Sequence, residues 1–191
     1  MFWFSAEQYT KKNLGRDPHV SISVWLGSGY SLEKDIKAKR DRLENVCRAV
    51  VVDPDFVSRD ITGDDIKETF CNRALWEIAA EMGCEVFKKK KMYARDIIKH
   101  CQNSGDWTEV NPEKALEHAK RGNLAICGKR YPTMDHVAAI FPTDMLFSGS
   151  WDKYVPVVAN VGKRNGIMKV TEAFPVVEGE PNYWAYIEDA L

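Results

Sequence analysis

Thr69-Phe70-Cys71-Asn72-Arg73-Ala74-Leu75-Trp76-Glu77-Ile78-Ala79-Ala80-Glu81-Met82-Gly83 is the stretch that decides the reading of this chain. Leu75, Ile78, Ala79 and Met82 recur at i, i+3, i+4 and i+7, the stripe of one buried helix face. Thr69 is expected as the N-cap and Gly83 as the C-cap. A helix framed this way opens at a thiol, Cys71. Unpaired backbone N–H groups at a helix start favour thiolate over thiol, so the position predicts a depressed thiol pKa.

Working outward, Tyr93 to Gln102 can form a second helix with Ile97, Ile98 and Cys101 facing inward. Asn111 to Gly122 is the clearest helix, with an Asn cap, Pro at the first position and Gly past the end. After Gly122 the period changes. Leu124–Cys127, Val137–Phe141, Tyr154–Val161, Met168–Val170 and Tyr183–Ile187 read as strands. Helices followed by strands predict an α+β domain with a mostly antiparallel sheet, over residues 61–191. Residues 1–60 read as an N-terminal extension packed on it. In that extension Ser21–Leu26 alternates like a strand and Gly27-Ser28-Gly29 reads as a turn. Glu33 to Cys47 is spaced for a helix, and Asp53-Pro54 stops any helix after Val52.

The 191 residues suffice for one domain with a real core, and a net charge of -1 gives no global field to recruit nucleic acid or anionic membrane. No apolar run is long enough to span a bilayer. Met1 to Gln8 lacks the basic flank of a secretory signal, so synthesis in the cytoplasm, with release or injection by another route, is expected. Cys47, Cys71, Cys84, Cys101 and Cys127 are odd in number and scattered, which argues against a disulfide framework or a zinc site. No GxGxxG, Walker or HExxH pattern is present, and neither a cofactor nor a metal is expected. Lys88 to Lys91 is the strongest basic run and reads as a solvated loop between helices.

Four histidines are available to work with Cys71. His100 and His118 read as solvated helix positions, and His19 follows Asp17-Pro18 in a loop. His136 alone starts an apolar strand, where an imidazole can take the proton of a nearby thiol. Asn160 lies inside a buried strand, and its amide carbonyl can fix an imidazole in one orientation. Asn165 and Asp135 compete for that role. Asp135 ranks lower because adjacent strand residues point to opposite faces. Asn72 and Asp135 flank the proposed nucleophile and base and are candidate substrate contacts. Trp76 and Trp184 suit a core. Trp107 and Trp151 sit in loops, and Trp151 is a candidate for the lining of a substrate groove.

The order Cys at a helix start, His on the second strand and a polar residue on the third resembles the NlpC/P60 and CHAP superfamily of papain-like cysteine peptidases. Ala119–Ile126 followed by Asp135–Ile140 looks like that family's helix-Gly-strand passage and His-Val strand. Thr69-Phe70-Cys71-Asn72 with Trp76 looks like its Cys-Asn branch. The resemblance covers residues 65 to 187. It implies a papain-like fold and hydrolysis of an amide in a peptidoglycan stem peptide through a thioester. Cys71 would be nucleophile, His136 base and Asn160 the orienting group. A lysin or an injected effector is the implied setting, with an immunity or inhibitor protein as partner. Asn72 stands where the family more often has Ser, and Asp135 where it often has Gly. The rival readings are a non-catalytic binding or structural module of the same fold and an acyltransferase using the same thiol.

Overall fold

The strand-rich second half of the chain builds a six-stranded sheet in the order β1-β8-β2-β3-β6-β7, every neighbour antiparallel. A computed structural model of the protein describes residues 32–61, 69–174 and 179–187. The strands are β1 Trp107–Val110, β2 Ala125–Lys129, β3 His136–Ile140, β6 Val157–Asn160, β7 Gly166–Lys169 and β8 Asn182–Tyr186. Between β3 and β6, β4 Leu146–Ser148 and β5 Lys153–Val155 pair as a separate hairpin. The α+β class and the antiparallel sheet are therefore as the period change predicts. Ser21–Leu26 and Gly27-Ser28-Gly29 lie outside the described residues.

Six α-helices accompany the sheet among the described residues: α1 Leu32–Val52, α2 Cys71–Glu81, α3 Val86–Lys89, α4 Ala94–Asn103, α5 Pro112–Lys120 and α6 Val170–Ala173. Each long one exists for a readable reason. In α2 the buried positions are Cys71, Ala74, Leu75, Ile78 and Ala79, so the thiol is itself the first member of the apolar stripe. The stripe lies on β3. In α4, Ala94, Ile97, Ile98 and Cys101 face inward. In α5 the Asn111 side chain accepts the Lys114 N–H at 2.8 Å and Pro112 occupies the first turn. α1 runs until Asp53-Pro54 ends it, burying Leu43, Cys47, Val50 and Val51.

β2 and β6 are buried along nearly their whole length, and the core joins them to α2, α4 and α5. Central strands covered on both faces read as continuous apolar runs rather than alternating ones. Gly122 shows how closely the layers meet. Its φ is +81°, and a Cβ there would fall 2.4 Å from the Cβ of Lys39 on α1. From Asp35 onward the described chain is one compact unit, which takes in most of α1 together with the sheet.

Several expectations need correcting. The N-cap of α2 is Phe70, with no side-chain cap, because Thr69 turns its hydroxyl to Met134 Sδ at 3.5 Å. The run Tyr154–Val161 is two strands, not one; Pro156 lacks an N–H and separates them. Lys88 and Lys89 are in the short helix α3 and pair with Glu77 and Glu85. His118 is half-buried and its Nε2 bonds the Tyr186 carbonyl at 2.9 Å. His100 packs edge-on against Phe87, centroids 5.9 Å apart.

Candidate active site

Register places His136 and Asn160. β3 and β6 pair Ala139 with Ala159 and Ile140 with Val158. Continuing that ladder sets Asn160 opposite Ala138. It is then a diagonal neighbour of His136 on the same sheet face, because side chains alternate with a period of two. The contact follows: His136 Nε2 and Asn160 Oδ1 are 2.7 Å apart. Asn160 is 4% exposed, and its Nδ2 donates to the Arg164 carbonyl at 2.6 Å.

That second bond fixes the first. A backbone carbonyl only accepts, so the amide nitrogen must face Arg164 and the amide oxygen must face the ring. An amide oxygen also only accepts, so Nε2 carries the ring proton and Nδ1 is left with its lone pair. The ring packs against Phe174, centroids 4.9 Å apart. Gly162 leaves room beside it; a Cβ there would come within 3.4 Å of His136 Cε1. Burial holds His136 below the ordinary imidazole range, and the Asn160 hydrogen bond opposes that shift. The neutral ring is thus the resting form at neutral pH.

The two competitors for the orienting role are engaged elsewhere. Asn165 accepts the Gly162 N–H at 3.1 Å and donates to the Phe56 carbonyl at 3.0 Å. Asp135 accepts from Arg95 Nε at 2.8 Å and from the Tyr131 N–H at 3.1 Å.

Cys71 meets β3 one residue beyond the base. The first helical bond of α2 runs from the Ala74 N–H to the Phe70 carbonyl at 2.9 Å, so the amides of Cys71 and Asn72 have no acceptor within the helix. Together with the Val137 N–H of β3 they act on the thiol. Each favours the thiolate, yet burial outweighs them and the Asp135 charge adds to it, so the thiol pKa is raised. This corrects the expectation of a depressed pKa: the helix start supplies donors, but Cys71 is 5% exposed and its thiol too poorly solvated to ionise at rest. Thiol and imidazole are both neutral at rest.

Cys71 is one of the residues that line an open cleft of about 470 Å³. Asn72 and Asp135 line it; Asn72 is tethered through Nδ2 to the Met92 carbonyl at 3.4 Å. Trp151 does not line it. Its indole lies beneath the Lys153 ammonium, 5.5 Å away, beside the β4–β5 hairpin. Arg95, also on the lining, escaped the sequence reading. A faint signal was available: a basic residue in the first turn of a helix opposes the macrodipole and needs a local anion. Among the described residues no group of His, Cys, Asp or Glu is arranged to hold a metal, and no helix is long and apolar enough to cross a membrane. No protein-family model matches this chain, and no curated protein does.

Proposed function

We propose that this protein is a cysteine-dependent amidohydrolase of papain-like, NlpC/P60 type, acting on an amide of a peptidoglycan stem peptide. The observation that carries the chemistry is the tautomer: Asn160 holds the Nε2 proton of His136, leaving Nδ1 as the basic atom next to a strand residue, Val137, that touches Cys71. The peptidoglycan substrate rests on the sequence resemblance.

In the proposed cycle the Cys71 sulfur attacks the amide carbonyl while its proton passes to His136 Nδ1. The N–H groups of Cys71 and Asn72 stabilise the oxyanion. His136 returns the proton to the leaving nitrogen, the C–N bond breaks and a thioester remains. Water then attacks, gives its proton to Nδ1, and the C–S bond breaks as the carboxylic acid leaves and the thiol is restored.

Burial of Cys71 favours a second reading, a non-catalytic module that keeps the fold. An acyltransferase would use the same thioester with an amine or alcohol in place of water. Incubating the protein with purified peptidoglycan and its soluble stem peptides separates these readings. New free amino groups, lost in a folded Cys71→Ala variant, support hydrolysis. Undiminished release by that variant would refute it.

A further inference from the structure

Arg95 and Asp135 form an ion pair whose two members are placed very differently. The Asp135 side chain is 6% exposed and that of Arg95 is 52% exposed. Asp135 is held at both oxygens, one by Arg95 Nε at 2.8 Å and the other by the Tyr131 N–H at 3.1 Å. The carboxylate is therefore a fixed anchor. It uses one of the five guanidinium protons, and among the described residues no acceptor meets either Nη. A guanidinium clamped through Nε presents its remaining N–H groups as a pre-set fork, the geometry that grips a carboxylate at two points. The fork belongs to the cleft that Cys71 lines, and its anchor directly precedes His136.

Three charged residues, Arg95, Asp96 and Asp135, are on that lining. Asp135 is occupied by Arg95. Asp96 repels a second anion and so favours a ligand with one carboxylate over a polyanion. Resting on the proposed function, we infer that Arg95 is the specificity-determining residue of the cleft, and that its substrates carry a single free carboxylate beside the scissile amide. Asp135 is then a positioning residue that acts through Arg95.

The test uses two alkylating reagents that differ at one end. Iodoacetate and iodoacetamide both form an S–C bond at Cys71, lose iodide and release the thiol proton to the base; only iodoacetate carries a charge. The ratio of their rates cancels changes in the thiol itself. Arg95→Gln is expected to lower the iodoacetate-to-iodoacetamide ratio at Cys71 about tenfold, the scale of a lost charge-assisted contact. Arg95→Lys, which keeps a cation for Asp135 but not the fork, is expected to lower it about threefold, and it carries the test if the Gln variant does not fold. If iodoacetamide selects Cys71 in the native protein but the ratio moves less than twofold in both variants, the role of Arg95 is overturned and the proposed function stands. If iodoacetamide does not select Cys71 at all, the proposed function fails and this inference fails with it.

Discussion

Two thiols touch the same strand, and they are not alike. The N–H of Val137 favours the Cys71 thiolate, and that of Ala138, the next residue along β3, favours the Cys127 thiolate. Burial pushes both thiols above the ordinary range. The difference is in what else surrounds them. Cys127 is in β2, fully covered, with one backbone donor. Cys71 opens a helix, borders a cleft and has three backbone N–H groups that favour its thiolate, one of them from Val137, the residue after His136. A buried cysteine is usually a small hydrophobe, and Cys127 fits that description. The comparison teaches that a strand neighbour and a raised pKa are common to both thiols and do not tell them apart; the added donors and the cleft do.

The largest expected effect breaks the comparison outright. Cys71→Ala should reduce amide hydrolysis by at least about 10³-fold, the scale for losing a covalent nucleophile. Cys127→Ala should leave turnover within about twofold and cost about 1 kcal/mol in stability, read by urea unfolding. Comparable activity loss in the two variants would erase the distinction. Next, His136→Ala should lower kcat by about 10²–10⁴-fold, the range for a general base. His118→Ala should cost about 1 kcal/mol of stability, through its bond to Tyr186, without touching kcat. Asn160→Ala should cost about 10- to 100-fold in kcat by freeing the wrong tautomer. It should also destabilise the fold by about 1–3 kcal/mol, because the Arg164 carbonyl and His136 Nε2 lose their partner.

A pH titration sharpens the same contrast. Burial lowers the His136 pKa below 6.5. As pH falls below 6.5 the unfolded chain takes up a proton that the folded ring refuses, so this group's contribution to stability is intact above 6.5 and is lost down to the folded pKa. Activity should show an acid limb with its midpoint below 6.5, measured as kcat/KM against pH. A midpoint above that value would mean a charged partner that the geometry lacks. The smallest effect is expected of Trp151→Ala, less than about twofold in KM, because the indole is away from the cleft.

The sequence carried the parts of this account that rest on local rules. The α2 stripe, the Asn111 cap, the stop at Asp53-Pro54 and the change of period after Gly122 all depend on neighbours a few residues away. So does the start of β3 at His136. What it could not carry depends on distant partners. β1 is four residues long and exists because β8 pairs with it, Trp107 opposite Tyr186. The β4–β5 hairpin has no clean alternation to announce it. Asn160 outranked Asn165 and Asp135 on argument alone, whereas the hydrogen bonds of each residue separate them. The Arg95–Asp135 pair spans 40 positions. The state of the Cys71 thiol was misjudged for a related reason: helix donors are legible from position, but the depth of burial that outweighs them is a property of the whole fold.

One labelling experiment reaches the central claim without a substrate. Native protein treated with limiting iodoacetamide at pH 7.5, then digested and mapped, reports the rate at each of the five cysteines. The account predicts that Cys71 reacts at least about tenfold ahead of Cys127, Cys47, Cys84 and Cys101, and that His136→Ala removes the lead, since reactivity follows an assisted thiolate and access to it. It further predicts that the lead shrinks once the pH falls far enough below 6.5 to protonate the imidazole. Equal rates at Cys71 and Cys127 in the native protein at pH 7.5 would contradict it.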